Sequence, residues 1–102
     1  MYVILTSKPG QFRTEAGPEL RPVQGYDYFF YGRHQARFVI SEISGESKVR
    51  ITDEGESASV NLVPTKFLEK YASLAQAERE LKHLCAFGSM DANLVPFAPH
   101  PD

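Results

Sequence analysis

The stretch GYDYFFYGRHQARFVI, residues 25–40, decides how this chain folds, because it places five aromatic rings in six consecutive residues and then interrupts them. Aromatic and β-branched residues on both sides of a glycine are typical of two strands joined by a tight turn. We therefore predict a β-hairpin whose strands are Tyr26–Tyr31 and Gln35–Ile43.

A two-residue type II′ turn, with Gly32 first and Arg33 second, would fix the register of this hairpin. Side chains alternate between the two faces of a strand, so the register assigns every residue to a side. The face that we assign to the core carries Phe29, Ala36, Phe38 and Ile40. The opposite face carries Tyr26, Tyr28, Phe30, Gln35, Arg37, Val39 and Ser41. A loop one residue longer would exchange the two faces.

The second face combines tyrosine rings with an arginine, a composition that is over-represented at binding hot spots. A guanidinium group on this face could stack on a neighbouring tyrosine ring. Together with the turn, the predicted binding residues are Tyr26, Tyr28, Arg33, His34 and Arg37. The competing interpretation is structural: a curled sheet would fold this face over itself, and the tyrosines would only cap a small core.

The rest of the first 63 residues is a series of short apolar or alternating runs separated by turn residues. Short strands joined by short turns must pair antiparallel, because a parallel crossover needs about a dozen residues or more. Residues 1–63 therefore predict a meander of five to six strands, forming either a strongly curved antiparallel sheet or a small open barrel.

The pattern becomes helical after Pro64, a residue that suits the first position of a helix. Phe67, Leu68 and Tyr71 predict a short first helix. The sequence from Ser73 to Gln76 then fits a capping box at the start of a second helix, over about 74–87. Its apolar stripe is Leu74, Ala77, Leu81, Leu84 and Cys85.

These segments assign the chain to the α+β class, as a single domain over residues 1–102. The parts are the β meander (1–63), a helical segment with two helices (64–88) and a tail (89–102). Three prolines in the last seven residues predict that this tail is extended. The composition, 42% hydrophobic and 24% charged, is that of an ordinary globular protein.

The residues that usually carry chemistry are isolated from one another in this sequence. The histidines His34, His83 and His100 lack the spacing of metal ligands, and Cys85 continues an apolar stripe. Glycine-rich phosphate-binding motifs are absent from the sequence. We therefore predict no metal, no cofactor and no catalytic residue. The single cysteine fits a reducing compartment, and the cytoplasm is the expected location.

The leading functional hypothesis is a small non-catalytic accessory protein that binds a protein partner through the tyrosine-and-arginine face. The alternative is a single-stranded nucleic-acid-binding module, although a net charge of −2 gives no bulk attraction to phosphates. A small-ligand-binding protein or a minor enzyme is a third hypothesis. Membrane association is not expected, and pairing of an exposed edge such as Tyr2–Thr6 would allow a homodimer.

Overall fold

The computed structural model describes residues 1–85 and 92–99, and in these ranges it contains seven strands, one 3₁₀ turn and one α-helix. The strands are β1 (Tyr2–Ser7), β2 (Phe12–Glu15), β3 (Leu20–Phe30), β4 (Arg33–Ile43), β5 (Lys48–Asp53), β6 (Val60–Pro64) and β7 (Ala92–Phe97). The 3₁₀ turn is Thr65–Phe67, and the helix α1 is Leu74–Cys85. No helix within the described ranges is long and apolar enough to cross a membrane.

The strands form two antiparallel sheets, so the α+β class and the antiparallel pairing are confirmed. The four-stranded sheet has the order β1-β4-β3-β7, and the three-stranded sheet has the order β2-β5-β6. The prediction of one meander is wrong, because β4 pairs with β1 as well as with β3. Neither sheet closes into a barrel.

The four-stranded sheet lies between α1 and the three-stranded sheet, and each of its faces has its own core. The cluster under the helix contains Tyr26, Ile40, Ala77, Leu81 and Cys85. The cluster between the sheets contains Val3, Leu5, Leu20 and Val49, with Val39, Ile43, Ile51, Val63 and Leu68 packed against it. Alternation along β1 and β4 supplies both clusters, because successive side chains point to opposite faces.

Helix α1 begins with half of the predicted capping box: the Ser73 hydroxyl accepts the Gln76 N–H at 3.1 Å and satisfies a backbone donor that the first turn leaves unpaired. The Gln76 side-chain oxygen does not return to Ser73 but accepts the N–H of the preceding residue, Ala72, at 2.9 Å. The apolar stripe is narrower than predicted, because Leu84 is exposed. The last two residues of the predicted helix, 86 and 87, lie outside the described residues.

The first predicted helix is wrong, because the 3₁₀ turn Thr65–Phe67 is the only helical segment in residues 65–73. Thr65 continues the strand pairing of β6: its N–H donates to the Ser47 carbonyl at 2.9 Å, and its hydroxyl accepts the Ser47 N–H at 2.9 Å. This pairing holds the chain against β5, and Phe67 is left exposed rather than packed on the sheet.

The predicted tail is also corrected, because residues 92–97 form β7, which pairs with β3. Pro96 is compatible with β7 because edge strands tolerate a residue without an N–H. The Phe97 ring lies directly on Gly25: a Cβ atom at Gly25 would lie 2.4 Å from the ring. Only glycine leaves room for this contact. Residues 89–91 and 100–102 of the predicted tail lie outside the described residues.

Candidate functional site

The hairpin between β3 and β4 turns one residue earlier than predicted. Tyr31 and Gly32 have φ angles of 52° and 75°, and Phe30 pairs with Arg33 across the turn. Positive φ at both central residues is the geometry of a type I′ turn, in which glycine is favoured at the second position. The predicted type II′ turn at Gly32-Arg33 is therefore wrong.

A β-bulge changes the register again farther from the turn. Phe29 pairs with His34, whereas the preceding residue, Tyr28, pairs with Ala36, so Gln35 is an extra residue in β4. The pairs beyond the bulge are Asp27 with Arg37 and Tyr26 with Phe38. The predicted turn would instead have placed Arg37 opposite Tyr28 and Phe38 opposite Asp27, so the partners of both β4 residues are changed.

Tyr26 and Tyr28 consequently lie on the face under the helix, not on the face of Arg37. Tyr26 is only 8% exposed, and its hydroxyl donates to the Glu78 carboxylate of α1. Burial and, secondarily, this hydrogen bond raise the pKa of Tyr26 to about 12. Tyr28 is half-buried against the same cluster. The prediction that these tyrosines share a face with Arg37 is wrong.

On the opposite face, the carboxylate of Asp27 holds two of the predicted binding residues. It accepts hydrogen bonds from Arg37 Nε at 2.9 Å and Nη2 at 3.2 Å, and His34 Nε2 lies 2.8 Å from the same carboxylate. Burial alone would raise the pKa of Asp27, but the bonds to Arg37 and His34 outweigh it and hold that pKa below its ordinary value.

Aromatic and apolar side chains surround this carboxylate. The guanidinium carbon of Arg37 lies 4.4 Å from the centre of the Phe97 ring, and Phe29 packs beside His34 with ring centres 5.1 Å apart. Val95, the β7 partner of Asp27, is 48% exposed. We call this set the Asp27 surface; it consists of Asp27, Phe29, His34, Arg37, Val95 and Phe97.

The Asp27 surface is open because the three-stranded sheet covers only part of the four-stranded sheet. The buried contacts between the sheets involve β1, β4 and the start of β3, through side chains such as Leu5, Leu20 and Val39. Of β3 only Leu20 belongs to the cluster between the sheets, and no residue of β7 does. Arg37 retains 51% exposure of its side chain. Arg33 lies at the exposed tip of the same hairpin.

A groove of about 450 Å³ lies between the two sheets beside this surface. Its lining includes Leu5, Leu20, Val39, Pro18, Pro22 and Pro99. The Thr14 hydroxyl that borders it is already used, since it donates to the Thr6 carbonyl. Among residues 1–85 and 92–99, no three histidine, cysteine or acidic side chains converge as a metal site would require.

Asp27, Val95 and Phe97 were not predicted to belong to a binding surface, and the assignment of Phe29 to the core face is wrong, because Phe29 packs beside His34 on this surface. One signal was present: the tetrapeptide Asn-Leu-Val-Pro occurs at 61–64 and again at 93–96. Both copies form strands at the edge of a sheet, in β6 and β7. If the second copy is taken as a strand like the first, Val95 and Phe97 are predicted to belong to a sheet rather than to a tail.

A comparison with family models finds no match, and comparisons with curated proteins and with solved structures find none either. Function is therefore inferred from the residues and geometry of the chain itself.

Proposed function

We propose that this protein is a small non-catalytic binding module that contacts a protein partner through the Asp27 surface. The observation that carries the proposal is the exposed Arg37 side chain, held in place by Asp27 and stacked on Phe97. An arginine fixed before binding loses less conformational freedom when it meets a partner. Arginine beside aromatic rings is also the composition found at binding hot spots.

Each part of the surface has a distinct proposed role. Asp27 orients Arg37 and His34, and Arg37 presents the N–H groups of its remaining terminal nitrogen to carbonyl or carboxylate oxygens of the partner. Val95 and Phe97 supply apolar area that a partner would bury. Arg33 is the partner of Phe30 on the opposite face, so it is not assigned a role in this surface. Tyr26 and Tyr28 are proposed as support from the opposite face.

The charge arrangement favours a protein over single-stranded nucleic acid. Arg37 donates two hydrogen bonds to the Asp27 carboxylate, so the positive charge of the guanidinium group is already compensated. Nucleic-acid affinity depends on cations that are free to replace the counterions of phosphates. The net charge of −2 weakens that interaction further.

Catalysis is also disfavoured at this surface. A general acid or base is most effective when its pKa is near the working pH, and the pKa of Asp27 is held below the ordinary carboxyl value. The carboxylate is therefore a fixed anchor rather than a proton carrier. A cytoplasmic location remains part of the proposal, because the single cysteine, Cys85, is buried and unpaired.

Affinity capture with matched variants tests this proposal. Tagged wild type, Arg37→Ala, Val95→Glu and the control Arg79→Ala on the exposed side of α1 would each be incubated with an extract of the source cells. We expect a protein that is retained by wild type and by Arg79→Ala but lost with Arg37→Ala and Val95→Glu. Circular dichroism would establish that all four proteins are folded.

Two results would reject the proposal. One is an unchanged set of captured proteins for folded Arg37→Ala and Val95→Glu. The other is retention of a short single-stranded oligonucleotide on filters at micromolar protein and low salt, lost in Arg37→Ala, which would favour the nucleic-acid alternative.

A further inference from the structure

Among residues 1–85 and 92–99, no strand pairs with the outer edge of β6, so this edge presents unpaired backbone groups. The Asp53 N–H donates to the Ser59 carbonyl at 2.8 Å, and the Thr65 N–H donates to the Ser47 carbonyl at 2.9 Å. Ladder bonds alternate along an antiparallel pair, so the odd-numbered residues 59–65 face β5. The even-numbered residues Val60 and Leu62 therefore turn their N–H and carbonyl groups away from the sheet.

This edge lacks the protection that exposed strands normally have. Natural edges carry charged side chains or are covered, because free strand edges pair with other chains. None of the five residues of β6 is charged, and Val60 and Leu62 are 55% and 58% exposed. The edge of β1 differs, because Tyr2 exchanges two backbone hydrogen bonds of 2.8 Å with Tyr71. Pro64, which has no N–H, limits the free edge of β6 at one end.

Basic side chains lie beside the apolar row of β6. In β5, Lys48 pairs with Pro64 and Arg50 pairs with Leu62, so these side chains share the outer face of the three-stranded sheet. Both basic residues are exposed, and within the described part of the chain neither forms an ion pair. Glu15 of β2 lies opposite Arg50 on this face, and the ion pair that it forms, at 3.4 Å, is with Arg13. The edge therefore combines free backbone groups, apolar area and two exposed basic side chains.

We propose that the β6 edge binds an extended acidic peptide segment of a partner protein by strand addition. The backbone of the segment pairs with Val60 and Leu62. On its outer face, an apolar side chain lies beside Leu62, and acidic side chains two residues before and after it approach Arg50 and Lys48. Main-chain bonds supply affinity in this mode of recognition, and alternate side chains supply specificity.

A peptide fits this edge better than a second copy of the chain does. A stable interface between two folded proteins buries about 1,600 Å² in total, far more than a five-residue edge offers. This site is independent of the Asp27 surface, which lies on the other sheet.

Fluorescence anisotropy at low salt tests the proposal with defined peptides. The probe is Thr-Glu-Thr-Val-Thr-Glu-Thr with blocked ends, and the matched control replaces both glutamates with lysine. We expect the acidic peptide to bind at least about tenfold more tightly than the lysine peptide, because like charges oppose association. Arg50→Glu should reverse that preference. Equal binding of the two peptides would overturn the acidic specificity.

Backbone pairing is tested separately. Leu62→Pro removes an outward N–H without breaking the ladder to β5, so we expect at least about tenfold weaker binding, whereas Leu62→Thr keeps the donor and the affinity. The same test can be made on the wild-type protein with two N-methylated peptides, one methylated at the odd-numbered residues and one at the even-numbered residues. In an added strand only one of these groups of N–H donors points towards β6, so strand addition requires that only one of the two peptides lose binding. Unchanged binding of both methylated peptides, or no binding of the unmodified acidic peptide, would overturn the proposal. Analytical size exclusion of the free protein distinguishes dimer formation, which would also contradict it.

Discussion

The tetrapeptide Asn-Leu-Val-Pro forms the edge of both sheets, yet its two copies bury opposite sides. In β6, Leu62 is 58% exposed and Val63 packs between the sheets. In β7, Leu94 packs under the helix and Val95 is 48% exposed. Local sequence explains why each copy is an edge strand that tolerates a proline, but the neighbouring layer determines which side chain is buried.

The largest expected difference between the two copies comes from shortening their leucines. We expect Leu94→Ala to lower the free energy of unfolding by about 2 kcal/mol, because it removes apolar contacts under α1. Leu62→Ala should change it by no more than about 0.5 kcal/mol, since that side chain is exposed. Urea denaturation of both variants measures the difference. Equal losses would mean that the two edges are not opposite in burial.

The contact between Phe97 and Gly25, which holds β7 on β3, can be removed by a single substitution. Gly25→Ala would put a Cβ atom 2.4 Å from the Phe97 ring, so the ring must move off β3. We expect a loss of about 1–2 kcal/mol from this overpacking. Gly45→Ala is the matched control, because its nearest neighbour would lie 3.7 Å away. Hydrogen exchange should show faster opening of β7 in Gly25→Ala alone; protection like that of the wild type would contradict the role given to Phe97.

On the helix side of the sheet, β7 lies next to a titratable group, because Pro96 pairs with Tyr26. The ionisation of Tyr26 at alkaline pH therefore reports on this side of the strand. The pKa of Tyr26 is raised from 10.0 to about 12 in the folded protein. The corresponding stability is fully present below pH 10 and is lost as the pH rises towards 12. Tyr26→Phe should be less stable at neutral pH by about 1 kcal/mol, through loss of the bond to Glu78.

Urea midpoints of wild type and Tyr26→Phe between pH 9 and about 12 measure this effect. The difference between the two proteins should shrink across that window. A constant difference would show that the tyrosine is not protected by folding.

On the opposite side of β7, Val95 pairs with Asp27, whose ionisation changes at acidic pH. We expect its effect on the free energy of unfolding to be the smallest of those considered. The pKa of Asp27 is held below its ordinary value of 3.8. The stability that this shift provides is present above that value and is lost as the pH falls through the lower, folded pKa. Asp27→Asn should remove this part of the acid dependence. Thermal unfolding from pH 6 to about pH 2 measures it, and an unchanged pH profile would contradict the proposed anchor.

Features set by nearby residues could be predicted from the sequence. The bonds that start α1 join Ser73, Ala72 and Gln76, which are close together in the chain. Ala36 and Ile40 are buried on one side of β4 as predicted. Of the residues that were assigned to the face opposite the core, Ser41 is buried as well and Val39 is half-buried, because a second sheet packs on that face. Antiparallel pairing followed from the short connections between strands.

The Asp27 surface could not be predicted, because its geometry depends on register and on distant pairing. A tyrosine with positive φ at position 31 and an extra residue at Gln35 together changed the partners across the hairpin. Neither the position of the turn nor the bulge is marked by a particular type of residue, so the sequence alone does not indicate them. Phe97 reaches Gly25 only because β7 returns to β3 across most of the chain.

The late position of β7 has a consequence for synthesis on the ribosome. Strand β3 and its hairpin partner β4 are complete by residue 43, whereas the strand that pairs with the other edge of β3 spans residues 92–97. A nascent chain therefore carries an aromatic strand with one unpaired edge while residues 44–91 are still being translated. Such an edge recruits other chains, so the interval before β7 emerges is the period in which this protein most needs a chaperone.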